Sequence, residues 1–252
     1  MLSRRLRRAT SKGPTDPYSL ELFANHEVIG YWLLDELSTG AVKDYSGNGY
    51  DLDTFEGSRT FGNTPVNANY DSMSSSASNN SAQVSLGADS NWDDQPIQTF
   101  IFWNYRVGTS TTYTYASFGT DNGTTDDWVY RFQNEYAANR YYKPATRSTS
   151  EVSTTYKSNT SSHLINRIEM HVVTFNKTAG LVYQWVNGAP QTTRSIVGTP
   201  KTKCVTASNS IFAIGGRGGS RTDSLNGRMN GCSYTLNQPT NAEVTDLWNA
   251  GT

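Results

Sequence analysis

Apolar and polar positions along this chain change places in short runs, and turn residues separate the runs. EVIGYWLL (27–34) is almost continuously apolar, the pattern of a strand covered on both faces. IQTFIFWNYR (97–106) sets Thr99, Ile101, Trp103 and Tyr105 on one face and Phe100 and Phe102 on the other, so both of its faces are expected to be covered too. AQVSL (82–86), TYTYASF (112–118), DWVYRFQ (127–133), NRYYK (139–143), EVSTTY (151–156), RIEMHVVTF (167–175), IFAIGG (211–216) and GCSYTL (231–236) read as further strands. LVYQWVNG (181–188) alternates and then ends in an Asn-Gly turn. Many short strands at this spacing predict a sandwich. Only two helices are expected. PYSLELFAN (17–25) has Asp16 to cap it and Pro17 at its first position. Near the C-terminus, Thr240 and Glu243 stand at capping-box spacing, Val244, Leu247 and Trp248 share a face, and Gly251 stands where a C-terminal cap belongs. The Ser/Thr/Asn-rich stretches 67–81 and 146–163 read as loops or edge strands.

Composition supports the β reading. Of 252 residues only 35% are hydrophobic but 12% are aromatic, with 15 Tyr and 6 Trp, a balance that suits pleated surfaces rather than a helical bundle. A net charge of −1 gives no general argument for nucleic acid or membrane. No run approaches the roughly 18 apolar residues of a membrane span. Cys204 and Cys232 are too few for a disulfide framework; they pair if their strands are neighbours and otherwise serve as small buried residues. The exception in charge is local: Arg4, Arg5, Arg7, Arg8 and Lys12 form a basic arm with no acid and no following apolar run. It has no interleaved aromatics, so specific nucleic-acid reading is not expected. An acidic groove on a partner protein suits it better.

Three pieces of sequence, in order, carry a resemblance. YSLELFANHEVIGYWLLDELSTGAVKDYSGNGYDL, HVVTFNKTAGLVYQWVNGAPQ and LNGRMNGCSYTLNQPTNAEVTDLWNAG together resemble laminin-G-like, concanavalin A-like lectin and glucanase jelly-roll domains, over roughly residues 18–251. The resemblance implies an all-β, two-sheet antiparallel jelly-roll sandwich with a short helix at each end. Apart from the resemblance, the basic run leads to an expected division into an N-terminal docking segment with its short helix (1–25) and a jelly-roll domain (26–252). The family often carries an acid in its closing strand, where this chain has Met229-Asn230-Gly231, so no role for that acid transfers.

Some jelly rolls of this shape hydrolyse β-glucans with paired carboxylates, one protonating the leaving oxygen and the other attacking or activating water. The nearest stretch here, EMHVVT, has Glu169 but His171 and Thr174 where the other acids would stand, so catalysis is not expected. Glu169 reads as a solvated or cross-strand carboxylate and His171 as a structural strand residue. Sugar binding is expected of aromatic planes ringed by polar groups. Tyr113, Trp128, Tyr136, Tyr141 and Tyr142, with Asp126, Asp127 and Asn139, are the candidates; their alternative is core or oligomer packing. The loop DYSGNGYDLD offers Asp44, Asn48 and Asp51 to calcium, but no glutamate stands at the twelfth position, where Phe55 is found; no other cofactor is expected. The alternative is a tight turn in which Asp44 and Ser46 bond loop amides.

These readings converge on a non-enzymatic virion structural protein of a bacteriophage, a capsid decoration or tail-fibre component. Its expected partners are capsid or tail proteins, further copies of itself and host surface glycans, with no membrane. The rival is a free carbohydrate-binding module, and the third class is a glycoside hydrolase.

Overall fold

A computed structural model of the chain describes residues 15–36, 40–57, 59–63, 72–75, 81–107, 113–121, 126–135, 141–147, 153–155, 166–196, 199–217 and 225–252. The helices are α1 (Pro17–Asn25) and α2 (Asn241–Gly251). The early strands are β1 (Val28–Trp32), β2 (Thr54–Glu56), β3 (Arg59–Asn63), β4 (Ser72–Ser75), β5 (Ser81–Ser85) and β6 (Ile97–Arg106). The central ones are β7 (Tyr113–Asp121), β8 (Asp126–Glu135), β9 (Tyr141–Arg147), β10 (Ser153–Thr155) and β11 (Ile168–Asn176). The last are β12 (Leu181–Val186), β13 (Ala189–Pro190), β14 (Arg194–Ser195), β15 (Ile211–Ile214) and β16 (Gly227–Thr235).

Among the described residues these strands make two antiparallel sheets. One has nine strands, in the order β13-β12-β11-β6-β16-β4-β3, with β1 on β16 and β14 on β12; the other has seven, β10-β9-β8-β7-β15-β5-β2. The sequence order jumps between neighbours because the chain crosses between sheets, as in a jelly roll.

The central strand β6 shows why the layers form. Phe100 and Phe102 enter the core between the sheets, with Tyr130, Phe132, Phe212 and Tyr234. Ile101 and Trp103 point outward into a second apolar layer with Tyr18 and Leu22 of α1 and Val244 and Leu247 of α2. Burial of Tyr18 and Leu22 supplies about 2–3 kcal/mol each. The helix α1 therefore packs in one apolar layer with the nine-stranded sheet and α2. Asp16 caps α1 through the Ser19 amide (3.0 Å), and Thr240 with Glu243 forms the expected capping box on α2.

Gly251 departs from expectation. It is the last helical residue, and a Cβ there would lie 2.2 Å from Trp103 Cζ2. Its glycine allows close approach of helix to sheet instead of a left-handed cap. Trp92, from a turn before β6, fills the sandwich by stacking on Tyr234 at 4.0 Å. Cys204 and Cys232 are both buried and free.

Candidate functional site

The loop after β1 is held by its own acids. Asp44 Oδ1 accepts from the amides of Tyr31 (3.0 Å) and Ser46 (2.8 Å), and Oδ2 accepts from the Ser46 hydroxyl (2.8 Å) and the Tyr50 amide (3.0 Å). Asp51 accepts from the Asp44 amide (2.8 Å) and pairs with Lys43 (2.7 Å), while Asn48 Nδ2 donates to the Ile29 carbonyl (2.8 Å). Four donors fill the lone pairs of Asp44 and leave none for a cation. Gly47 and Gly49 take positive φ, 85° and 82°, as the turn requires. Among the described residues no group of three or more His, Cys, Asp or Glu could hold a metal. The calcium reading of Asp44, Asn48 and Asp51 gives way to the turn.

The expected sugar-binding residues do not form one cluster. Tyr136 and Asn139, like Arg4, Arg5, Arg7, Arg8 and Lys12, lie outside the described residues. On the three-strand run β7-β8-β9, Tyr113, Asn134 and Tyr142 stand in one register row, and Tyr141 pairs with Glu135. Asp126 and Asp127 stand at the other end of β8, paired with Asp121 and Thr120. Asp127 and Asn134 are thus roughly 23 Å apart at about 3.3 Å per residue, too far for one sugar site.

Trp128 and Asp127 have other duties. Trp128 is only 4% exposed, and the Arg131 guanidinium lies 4.0 Å over its ring, on a face a sugar would need. Asp127 clamps the segment leading into β15. It accepts from the amides of Val205 (2.9 Å) and Thr206 (3.2 Å), from Asn209 Nδ2 (3.1 Å) and from Lys201 Nζ. Burial pushes its carboxyl up, but Lys201 and these donors outweigh burial and hold it at about 2.

Glu169 and His171 project from β11 into the space between the sheets. Glu169 is buried rather than solvated, with Oε2 3.4 Å from His171 Nε2. The His171 ring lies against Phe102 (5.4 Å) and Phe132 (5.8 Å), and burial lowers its pKa, with Glu169 opposing. Glu169 is thus held inside the sandwich against His171 rather than on a sheet surface.

One aromatic row escaped the sequence reading. Cα partners run Ile168, Tyr105, Arg228, Ser74 and Thr60 across β11, β6, β16, β4 and β3. Tyr105 belongs to the outer layer, one step along β6 beyond the part that the helices cover at Trp103. Ile168 is 44% exposed and Thr60 is exposed, with Tyr105, Arg228 and Ser74 half-buried. The Arg228 guanidinium lies 4.2 Å over the Tyr105 ring, and Thr60 Oγ1 and Ser74 Oγ are 2.6 Å apart. The alternation of β6 marked Tyr105 as outward-facing, but its partner Arg228 is far away in sequence, so no local pattern joined them.

The fold and these surfaces define a two-sheet antiparallel jelly-roll β-sandwich. No family model matches the sequence, and no curated protein does. Solved structures do match in shape. The receptor-binding domain of botulinum neurotoxin C/D mosaic serotype superposes with TM-score 0.62 at 13% identity, over 88% of this chain and 51% of that one. The botulinum neurotoxin serotype D ligand-binding domain, in complex with N-acetylneuraminic acid, gives 0.60 at 15% identity, over 88% and 50%. Domain 4 of AbnA, a GH43 extracellular arabinanase from Geobacillus stearothermophilus, in complex with arabinotriose, gives 0.58 at 17% identity, over 88% and 98%. This chain spans about half the length of the toxin domains and nearly the whole arabinanase domain. At these identities the likeness speaks for the fold.

Proposed function

We propose that the chain is a non-catalytic, lectin-like jelly roll that binds glycans through the Tyr105–Arg228 row. The observation that carries the reading is the row itself: an aromatic ring, a guanidinium and two hydroxyls share the outer face of the nine-stranded sheet, beyond the part that the helices cover at Trp103. An aromatic surface with hydrogen-bonding groups beside it is what a sugar, apolar on its C–H face and polar at its edge, requires. The structural neighbours crystallised with N-acetylneuraminic acid and arabinotriose support it. The burial of Glu169 beside His171 favours binding over hydrolysis. Tyr113, Tyr141 and Tyr142 remain proposed as a second contact region at the far end of β7–β9. A glycan array with the full chain tests the reading. Binding that Tyr105→Ala weakens at least about tenfold is expected; no binding to any glycan would defeat it.

The basic arm favours a setting for this domain. Five basic residues with no acid, before a helix that packs into the body, suit attachment of the jelly roll to a larger assembly. We propose as that setting a bacteriophage virion, with the chain docked on a capsid or tail protein and the lectin-like sandwich displayed towards host glycans. Removing residues 1–14 should abolish incorporation into particles while leaving glycan binding intact; unchanged incorporation would count against docking by the arm.

A further inference from the structure

We infer that the outward stripe of α1, Leu20, Phe23 and Ala24, seats in an apolar groove of the capsid or tail protein that receives the basic arm; the inference rests on the docking reading above. The helix is apolar on two sides. Tyr18 and Leu22, four positions apart, face inward in the layer with the nine-stranded sheet and are wholly buried. Leu20, Phe23 and Ala24, at i, i+3 and i+4, face outward and are exposed, Leu20 to 58% and Phe23 to 38%. A surface helix ordinarily sets polar residues opposite its buried stripe, and one that is apolar all round is ordinarily enclosed. Scattered exposed apolar side chains need no explanation, but here two large ones stand within one turn of a nine-residue helix. Pro17, also exposed, extends the stripe towards the start of the helix. The Phe23 ring meets the buried Tyr31 ring edge-on at 5.6 Å, so it is already placed before a partner arrives. Glu21, at the border of the stripe, accepts from Asn25 Nδ2 one turn further along.

Charge and chain order name the occupant. Residues 1–14, outside the described residues, stop two residues short of α1 and carry Arg4, Arg5, Arg7, Arg8 and Lys12 with no acid. A surface that receives this run presents carboxylates. Where the same surface continues along the chain to Leu20 and Phe23, it must turn apolar, as grooves that accept a helix by anchors at i, i+3 and i+4 do. The partner is therefore a protein with an apolar cleft whose one end is acidic. A second copy of this chain fits less well. Stripe-to-stripe contact would bring together two pairs of helices that carry Glu21, Glu243 and Asp246 and neither Lys nor Arg.

Counting copies of the full chain in purified particles by quantitative mass spectrometry tests this. Leu20→Ala with Phe23→Ala should lower the count at least about tenfold. Both side chains face outward and alanine keeps the helix, so the melting temperature should stay within about 2 °C of the parent. Leu20→Lys, at the more exposed position, should have the same effect and serves if the double variant loses stability. Normal incorporation of these folded variants, while removal of residues 1–14 abolishes it, would overturn the stripe and leave docking by the arm standing. Normal incorporation of all of them, the arm deletion included, would remove both. Light scattering on the purified chain checks the occupant: oligomers that Leu20→Lys breaks up would give the stripe to a second copy and overturn its assignment to another virion protein.

Discussion

Single carboxylates and imidazoles carry much of the conformational control in this molecule, and they make it sensitive to acid. A carboxyl held at about 2 releases its proton more readily in the folded chain than in the unfolded one, where about 3.9 is usual. The contribution of Asp127 is therefore complete above about pH 4 and is lost as pH falls towards 2. It amounts to about 1–2 kcal/mol after allowance for screening. Asp127→Asn should lower the melting temperature at pH 7 and flatten its fall between pH 4 and 2; an unaltered acid limb would contradict the clamp. The histidines act higher. Burial lowers the pKa of both His26 and His171, against the pull of Glu243 and Asn237 on the first and of Glu169 on the second. The unfolded chain then takes up protons first, so stability declines as pH drops below about 6.5, by at most about 1.4 kcal/mol per pH unit for each ring. Melting temperatures between pH 7 and 5 should show that slope, and a flat profile would rule it out. The difference between Asp44 and Asp127 also explains what was legible beforehand. Asp44 bonds mainly to residues within its own loop, and a turn-forming Asp, Ser and two glycines announce that. Asp127 bonds to residues more than 70 positions away, so its neighbours Tyr136 and Trp128 suggested a sugar site instead.

At the level of strands and helices, legibility followed side-chain period. The two-faced alternation of β6 was readable because each face meets its own apolar layer. β4, Ser72–Ser75, was not: its serines show no apolar alternation, and pairing with β16 and β3 makes it a strand. The C-terminal helix was readable from its cap, and the cap is testable. Thr240 accepts from the Glu243 amide at 3.3 Å, and Glu243 accepts from the Thr240 amide at 2.7 Å. Thr240→Ala should cost about 1 kcal/mol in chemical denaturation. Gly251, in contrast, looked like a cap and is a spacer. A methyl group there would collide with Trp103, whose ring already stacks on Trp248 at 5.0 Å. Gly251→Ala should therefore cost about 1–3 kcal/mol through overpacking, although alanine is the better helix former. A variant as stable as the parent would mean that helix and sheet are not held at this separation.

Among the described residues, three layers share two apolar interiors, and only one of them lies between the sheets. The outer layer joins the first helix, the last helix and the nine-stranded sheet, so the two ends of the described chain meet over Ile101 and Trp103. That arrangement separates two truncations that look similar in sequence. Removing residues 1–14 leaves the Asp16 cap and all of α1 in place, and the melting temperature should change little. Removing residues 1–25 uncovers Tyr31, Ile101 and Trp103 and takes away Tyr18 and Leu22, whose contribution is about 4–6 kcal/mol together, a large part of a typical domain's stability. The longer truncation should precipitate or bind a hydrophobic dye at room temperature, while the shorter one stays monodisperse in size-exclusion chromatography. A stable, dye-negative product lacking residues 1–25 would mean that α1 is an appendage after all.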